Sequence, residues 1–136
     1  MSRSEIEEKI RSFFEQEKDG PVAVYLFGSE ARGTAGAASD VDIAVLYETP
    51  PPRTLDGLQI PLKGDLEALL NRYVDLVVLN HASLDLSHRV FRDGVVLVDR
   101  DRMFRLAFEV KRRNEYLDFL PVLQLYRRYP VKATTP

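Results

Sequence analysis

Two aspartates spaced by one residue, Asp40 and Asp42, open an apolar run from Ile43 to Leu46. An earlier apolar run, Val22 to Phe27, stops at Gly28-Ser29. Successive side chains on a strand point to opposite faces, so Asp40 and Asp42 project from the same one. Two carboxylates about 4 Å apart repel by roughly 4 kcal/mol at an effective dielectric of about 20. Water screens such a pair, or one acid stays protonated, or a cation sits between them. Mg²⁺ takes oxygen ligands and is commonly held by one or two carboxylates plus substrate phosphates. Gly28-Ser29 supplies the complementary half. Glycine lets the backbone approach a ligand closely, Glu30-Ala31-Arg32 can open a short helix, and free amides at a helix N-terminus favour anions. The Ser29 hydroxyl adds a donor. Gly-Ser alone is an ordinary turn and Asp-x-Asp alone a solvated strand end. Joined to hydrophobic strands in this order, they read as a phosphate cradle and a metal site about ten residues apart.

A third carboxylate, Asp75, interrupts the apolar run from Arg72 to Leu79. Carboxylates are rarely buried without a partner. Asp75 therefore pairs with an arginine such as Arg72, lies at an exposed strand end, or joins the other two acids. Three converging acids would repel by on the order of 10 kcal/mol without a cation.

Gly28-Ser29-x-Ala31-Arg32-Gly33, six residues, then Asp40-x-Asp42 resembles the signature of the DNA polymerase β-like nucleotidyltransferase superfamily. The short length, Ala31-Arg32-Gly33 and Ser39-Asp40 are similar to the minimal nucleotidyltransferases (MNT), antitoxins paired with HEPN-domain toxins. The likeness covers about residues 5 to 100. Position 30, a glutamate, carries no reading. The resemblance implies an ATP-dependent transfer of AMP. Asp40 and Asp42 would hold two Mg²⁺ ions, and Asp75 would complete the second and favour deprotonation of the acceptor hydroxyl. Gly28 and Ser29 would hold the departing phosphates. Arg32 would neutralise triphosphate charge or form a surface ion pair, and Ser39 would bond the phosphates or cap the loop. The implied acceptor is a tyrosine of a HEPN ribonuclease toxin, silenced by AMPylation. A small-molecule, aminoglycoside-like acceptor is the alternative within the same chemistry, and 136 residues leave little room for the extra domain it needs. The alternative outside it is a non-catalytic antitoxin that acts by binding alone; retention of all three acids favours catalysis.

The elements that must position these residues are those of a nucleotidyltransferase fold, α/β (α+β), with a small mixed sheet of about four strands packed against helices and a long C-terminal helix. Ser4-x-x-Glu7 reads as a capping box. Ile6, Ile10, Phe13 and Phe14 follow it at helical spacing, up to a break at Asp19-Gly20-Pro21. Val22 to Phe27 is apolar on both faces, as a central strand is, and Val41 to Tyr47 is the second strand, ended by Pro50-Pro51-Pro52. Residues 53 to 61 read as a loop, Leu62 to Leu70 as a short helix with Asp65 near its start, and Arg72 to Leu79 as the third strand. Ser83 to Arg92 is a helix with Ser83 as cap, and Val95 to Val98 a fourth strand. Residues 101 to 120 form a long helix capped by Asp99 or Asp101. Pro121 should break or kink it, and Val122 to Tyr129 should continue as a second helix. Its apolar residues either wrap back on the sheet or dock a partner.

Composition narrows the function classes. At 136 residues, the chain is one domain by size, with residues 1–98 as catalytic core and 99–136 as a C-terminal helical segment. Cysteine is absent, which excludes disulfides and thiolate metal sites. The two histidines, His81 and His88, sit on different elements and read as surface or loop residues. No stretch reaches the roughly 20 apolar residues of a membrane span, and the polar N-terminus lacks a signal peptide's apolar centre, so a cytoplasmic protein is expected. A net charge of −2 argues against stable duplex nucleic acid binding. Residues 99–136 nevertheless hold nine Lys or Arg against five Asp or Glu, a basic segment suited to an acidic partner or to a solvated helix face.

Overall fold

A computed structural model describes residues 2–17, 19–28, 30, 33, 39–53 and 59–129. Strand β1 (Ala23–Phe27) is buried at all five positions. Its neighbours explain why: the sheet order is β3-β2-β1-β4, with β2 at Val41–Leu46, β3 at Val74–Val78 and β4 at Val95–Asp99. β1 runs antiparallel to β2 and β4, and β2 runs parallel to β3. The sheet is therefore mixed, with the glycine turn leaving the central strand and the acids on the two strands to one side of it.

Strand alternation divides the interior into two cores. One face carries Val24, Leu26, Val41, Ile43, Val45 and Val74. It is covered by Ile6, Ile10 and Phe14 of α1 (Arg3–Glu15) and by Leu66 and Leu70 of α2 (Ile60–Leu70). The opposite face carries Ala23, Tyr25, Phe27, Ala44 and Leu46, under Val90 and Phe91 of α3 (Leu84–Asp93) and Phe104 and Phe108 of α4 (Arg102–Arg128). Asp42 and Asp75 fall by alternation on this second face, where α3 and α4 lie.

Several boundaries differ from the sequence expectation. The cap of α1 is Ser2, whose hydroxyl accepts from the Glu5 amide at 3.2 Å, rather than Ser4. Ser2-x-x-Glu5 and Ser4-x-x-Glu7 are overlapping matches to one pattern, and local sequence does not choose between them. α2 starts earlier than expected, from a left-handed Gln59 (φ 56°), and takes Pro61 into its first turn, where a missing N–H costs nothing; Asp65 sits mid-helix. α4 runs unbroken through Pro121. Leu117, whose carbonyl loses its partner there, and Val122 are both exposed, so water can satisfy what the proline does not. Ser83 and Asp101 cap their helices as expected, accepting from the amides of Leu86 and Phe104.

A polar network ties α4 to the sheet. The Tyr25 hydroxyl donates to Glu109 at 2.6 Å, and Arg105 pairs with Glu109 and with Asp99, each at 3.0 Å. Burial, reinforced by the bond to Glu109, pushes the Tyr25 hydroxyl well above the ordinary tyrosine value of 10.0. The folded state thus keeps this proton after an unfolded tyrosine has lost it, so the contribution of Tyr25 to stability is constant below about pH 10 and is lost as pH rises above it. Tyr25→Phe should cost about 1 kcal/mol at neutral pH, since Arg105 still partners Glu109. It should also flatten the alkaline part of a plot of urea midpoint against pH.

Candidate active site

Asp42 and Asp75 are direct partners in the parallel β2–β3 register. Neighbouring strands lie about 4.8 Å apart, so two carboxylates on one face of adjacent strands meet side by side. Asp42 also stands opposite Phe27, the last residue of β1, in the antiparallel register. Gly28 follows at φ +69°, a conformation costly for any side-chain-bearing residue. A Cβ at Gly28 would overlap the Asp42 Oδ2 atom and lie 2.9 Å from its Cγ. The glycine is there because the carboxylate needs the space. Phe27, Gly28, Asp42 and Asp75 line one open cleft of about 270 Å³ with Leu86, Arg89 and Asp93 of α3.

Asp40 lies one residue before β2 and is exposed. Among the described residues, no group of three or more His, Asp or Glu stands close enough to hold a metal ion. The structure therefore brings Asp42, Asp75 and Gly28 together and leaves Asp40 at the strand's entrance. Ser29 and Arg32 lie outside the described residues. Ser39 offers its backbone carbonyl to Arg72 at 3.2 Å. The donor set nonetheless suits Mg²⁺: two hard carboxylates on an open face, beside a turn that admits close approach, are what such an ion needs when substrate phosphates complete its shell.

Other charged residues of the site left little trace in the sequence. Leu86, Arg89 and Asp93 form one stripe of α3 at helical spacing, a pattern visible only once α3 is known to cover the acid-bearing face. Asp93 is held by Arg92 through two bonds of 3.0 Å. Glu30 is 7% exposed and paired with Arg72. Asp75 forms no ion pair among the described residues. His81 sits on the short turn after β3 with Nε2 2.5 Å from the Pro51 carbonyl. His88 lies within α3, stacked on Tyr116 with ring centroids 4.0 Å apart. A larger cavity of about 360 Å³ lies between α3 and α4; its one carboxylate, Glu109, is already bound by Tyr25 and Arg105.

A glycine turn off a central strand, facing paired aspartates on the neighbouring strands, is the arrangement of a nucleotidyltransferase. The family model for polymerase beta nucleotidyltransferases matches residues 8–103, and the chain belongs to that family, among its minimal nucleotidyltransferases. It is 38% identical over 81 residues to protein adenylyltransferase MntA of Aphanizomenon flos-aquae, an alignment covering 54% of this chain and 54% of that protein. The chain thus spans about half the length of the curated relatives it matches. A crystal structure of a toxin-antitoxin with AMP-PNP superposes with a TM-score of 0.76 at 30% identity, covering 90% of this chain and 95% of that one. A tri-AMPylated Shewanella oneidensis HEPN toxin in complex with MNT antitoxin gives 0.73 at 26% identity, covering 93% and 96%. No helix among the described residues is long and apolar enough to cross a membrane.

Proposed function

We propose that the chain is a protein adenylyltransferase and antitoxin, transferring AMP from ATP to a tyrosine hydroxyl of a HEPN-domain toxin. The observation that carries this reading is the register pairing of Asp42 with Asp75 beside the Gly28 turn. The acceptor oxygen attacks the α-phosphorus, the bond from that phosphorus to the β-phosphate bridging oxygen breaks, and pyrophosphate leaves. Asp75, exposed at the cleft, accepts the hydroxyl proton. Asp42 and Asp40 provide oxygen ligands, Gly28 and Ser29 hold the leaving phosphates, and Arg32 and Arg89 offset their charge. Mg²⁺, two ions by the superfamily resemblance, would neutralise the charge developing on the attacking and leaving oxygens. An ATP substrate implies work in the cytoplasm. The names of the relatives support the reaction, and the complexes with toxins support the partner.

The test is incubation of the purified protein with α-labelled ATP, Mg²⁺ and the product of the adjacent gene. Label should move to the partner and the partner's ribonuclease activity should fall. Neutralisation without label transfer, unaffected by Asp42→Ala, would establish the binding-only antitoxin instead.

For the partner we propose the distal half of α4 as the docking surface. Leu117, Val122, Leu125, Tyr126 and Tyr129 are all more than half exposed, and contiguous exposed apolar residues mark interaction sites. Among the described residues this segment is tied to the rest of the chain by an ion pair of Arg127 with Asp85 at 3.7 Å, which is itself exposed on both sides. Deleting residues 121–136 should therefore weaken toxin binding at least tenfold in a pull-down titration. Mg·ATP affinity and the melting temperature should be unaffected. Unfolding of the truncated chain would assign the segment to the core.

A further inference from the structure

Glu30 and Ser39, which follow the Gly28 position and precede Asp40, are held by one side chain from the segment that leads into β3. Arg72 precedes β3 by two residues and is 13% exposed; its Nη1 reaches the Glu30 carboxylate, itself 8% exposed. Its Nε and Nη2 donate to the Ser39 carbonyl, the former at 3.2 Å. Glu30 lies two residues beyond Gly28, and Ser39 immediately precedes Asp40. Beside them, the Val41 amide donates to the Tyr73 carbonyl at 2.9 Å, continuing the same junction into the sheet. One planar guanidinium thus joins Glu30, Ser39 and the approach to the strand that carries Asp75. Glutamate is rarely this buried without a partner, and a guanidinium can engage two acceptors in fixed directions as an ammonium cannot.

We propose that Arg72, through Glu30 and the Ser39 carbonyl, is a positioning residue that sets the Gly28 turn against Asp42 and Asp75, so that triphosphate and acids are presented in register. The proposal rests on the nucleotidyltransferase reading and adds to it Arg72, outside its motif, and Glu30, at a position where the motif specifies no residue. Arg72 touches no reacting atom. Its effect is on the spacing between the cradle and the carboxylates, and it belongs in nucleotide binding and in the KM for ATP.

The test compares the full chain with Arg72→Lys, Arg72→Ala and Glu30→Gln by calorimetric titration with Mg·ATP, then by KM and kcat in AMP transfer. Arg72→Ala and Arg72→Lys should raise the Kd and the KM for ATP by about 10- to 100-fold, the range found for groups that orient ligands from the outer shell. The KM for the protein acceptor should stay unchanged. Lysine should fail to rescue because it cannot span both acceptors. Where Arg72→Ala does not fold, Arg72→Lys and Glu30→Gln carry the comparison. A wild-type chain that binds while both of these bind Mg·ATP equally well, with only a lowered melting temperature, overturns the positioning role alone. A wild-type chain that takes up no Mg·ATP overturns the functional reading, and the role with it. The clamp is also read without nucleotide: urea midpoints of Arg72→Lys, Glu30→Gln and the double variant should be non-additive, and additive midpoints would overturn the pairing on which the role depends.

Discussion

Asp42→Ala should abolish AMP transfer and leave a folded chain. Asp42 faces the cleft from an interior strand, with Asp75 beside it in register and the glycine turn against its carboxylate. Removing it takes away an oxygen ligand and a preorganised negative charge at the point where the triphosphate must be held. Loss of one such preorganised group costs about 10²–10³ in rate, and loss of a metal ligand belongs at the upper end. The substitution lies on the partly open side of β2, so stability should change by no more than roughly 1 kcal/mol. Label transfer and a thermal melt on one preparation separate the two effects. Asp75→Ala, which removes the proposed proton acceptor, should behave alike, whereas Asp40→Ala, at the exposed entrance of the strand, should be milder if Asp42 is the principal ligand. Equal and complete loss at Asp40 would make it a ligand of the same weight as Asp42.

Gly28→Ala should damage both site and fold. The new methyl group meets a positive φ of +69° and the space taken by the Asp42 carboxylate. The backbone term alone costs roughly 1–2 kcal/mol. Relief of the overlap moves the carboxylate from its place, and a displacement of about 1 Å at a reacting centre can cost about 10²-fold in rate. Gly33→Ala separates the contributions. Gly33 also has positive φ, +74°, but its added Cβ meets no described atom within 4 Å, so it brings backbone strain without displacing Asp42. Transfer rates and urea midpoints for the two variants should therefore diverge in rate more than in stability. If Gly28→Ala transfers AMP at the wild-type rate, the turn does not serve the phosphates.

The parts of this geometry that follow a short period were legible in the sequence. Val22–Phe27 announced a strand buried on both sides, and alternation through Val41–Leu46 set Asp42 apart from Ile43 and Val45. Ser83 and Asp101 declared their helices because a hydroxyl or carboxylate three residues before an amide is a local relation. Asp75 was singled out by its isolation in an apolar run and by the family resemblance, and the parallel register gave its partner as Asp42. The Arg72–Glu30 pair spans 42 positions, and no periodicity reaches that far. It also joins a residue assigned no role to one offered as a partner for Asp75. Arg89 and Asp93 were hidden for a related reason: a charged helix stripe reads as solvent-facing until the sheet beneath it is known. The continuity of α4 through Pro121 escaped because a proline inside a helix can be accommodated as well as end it, and nothing in the local sequence chooses between the two.

That last helix has a consequence for how the protein can diversify. At 27 residues α4 extends about 40 Å, and none of its residues is fully enclosed. Its inner turns are fastened by Phe104, Phe108 and the Tyr25–Glu109 bond, while its outer turns contribute little to holding the sheet together. Substitutions there escape the packing constraints that govern β1 and β2. If the outer rod docks the partner as proposed, recognition of a new target can drift along it while the cleft end, separated from it by the anchored turns, is inherited intact.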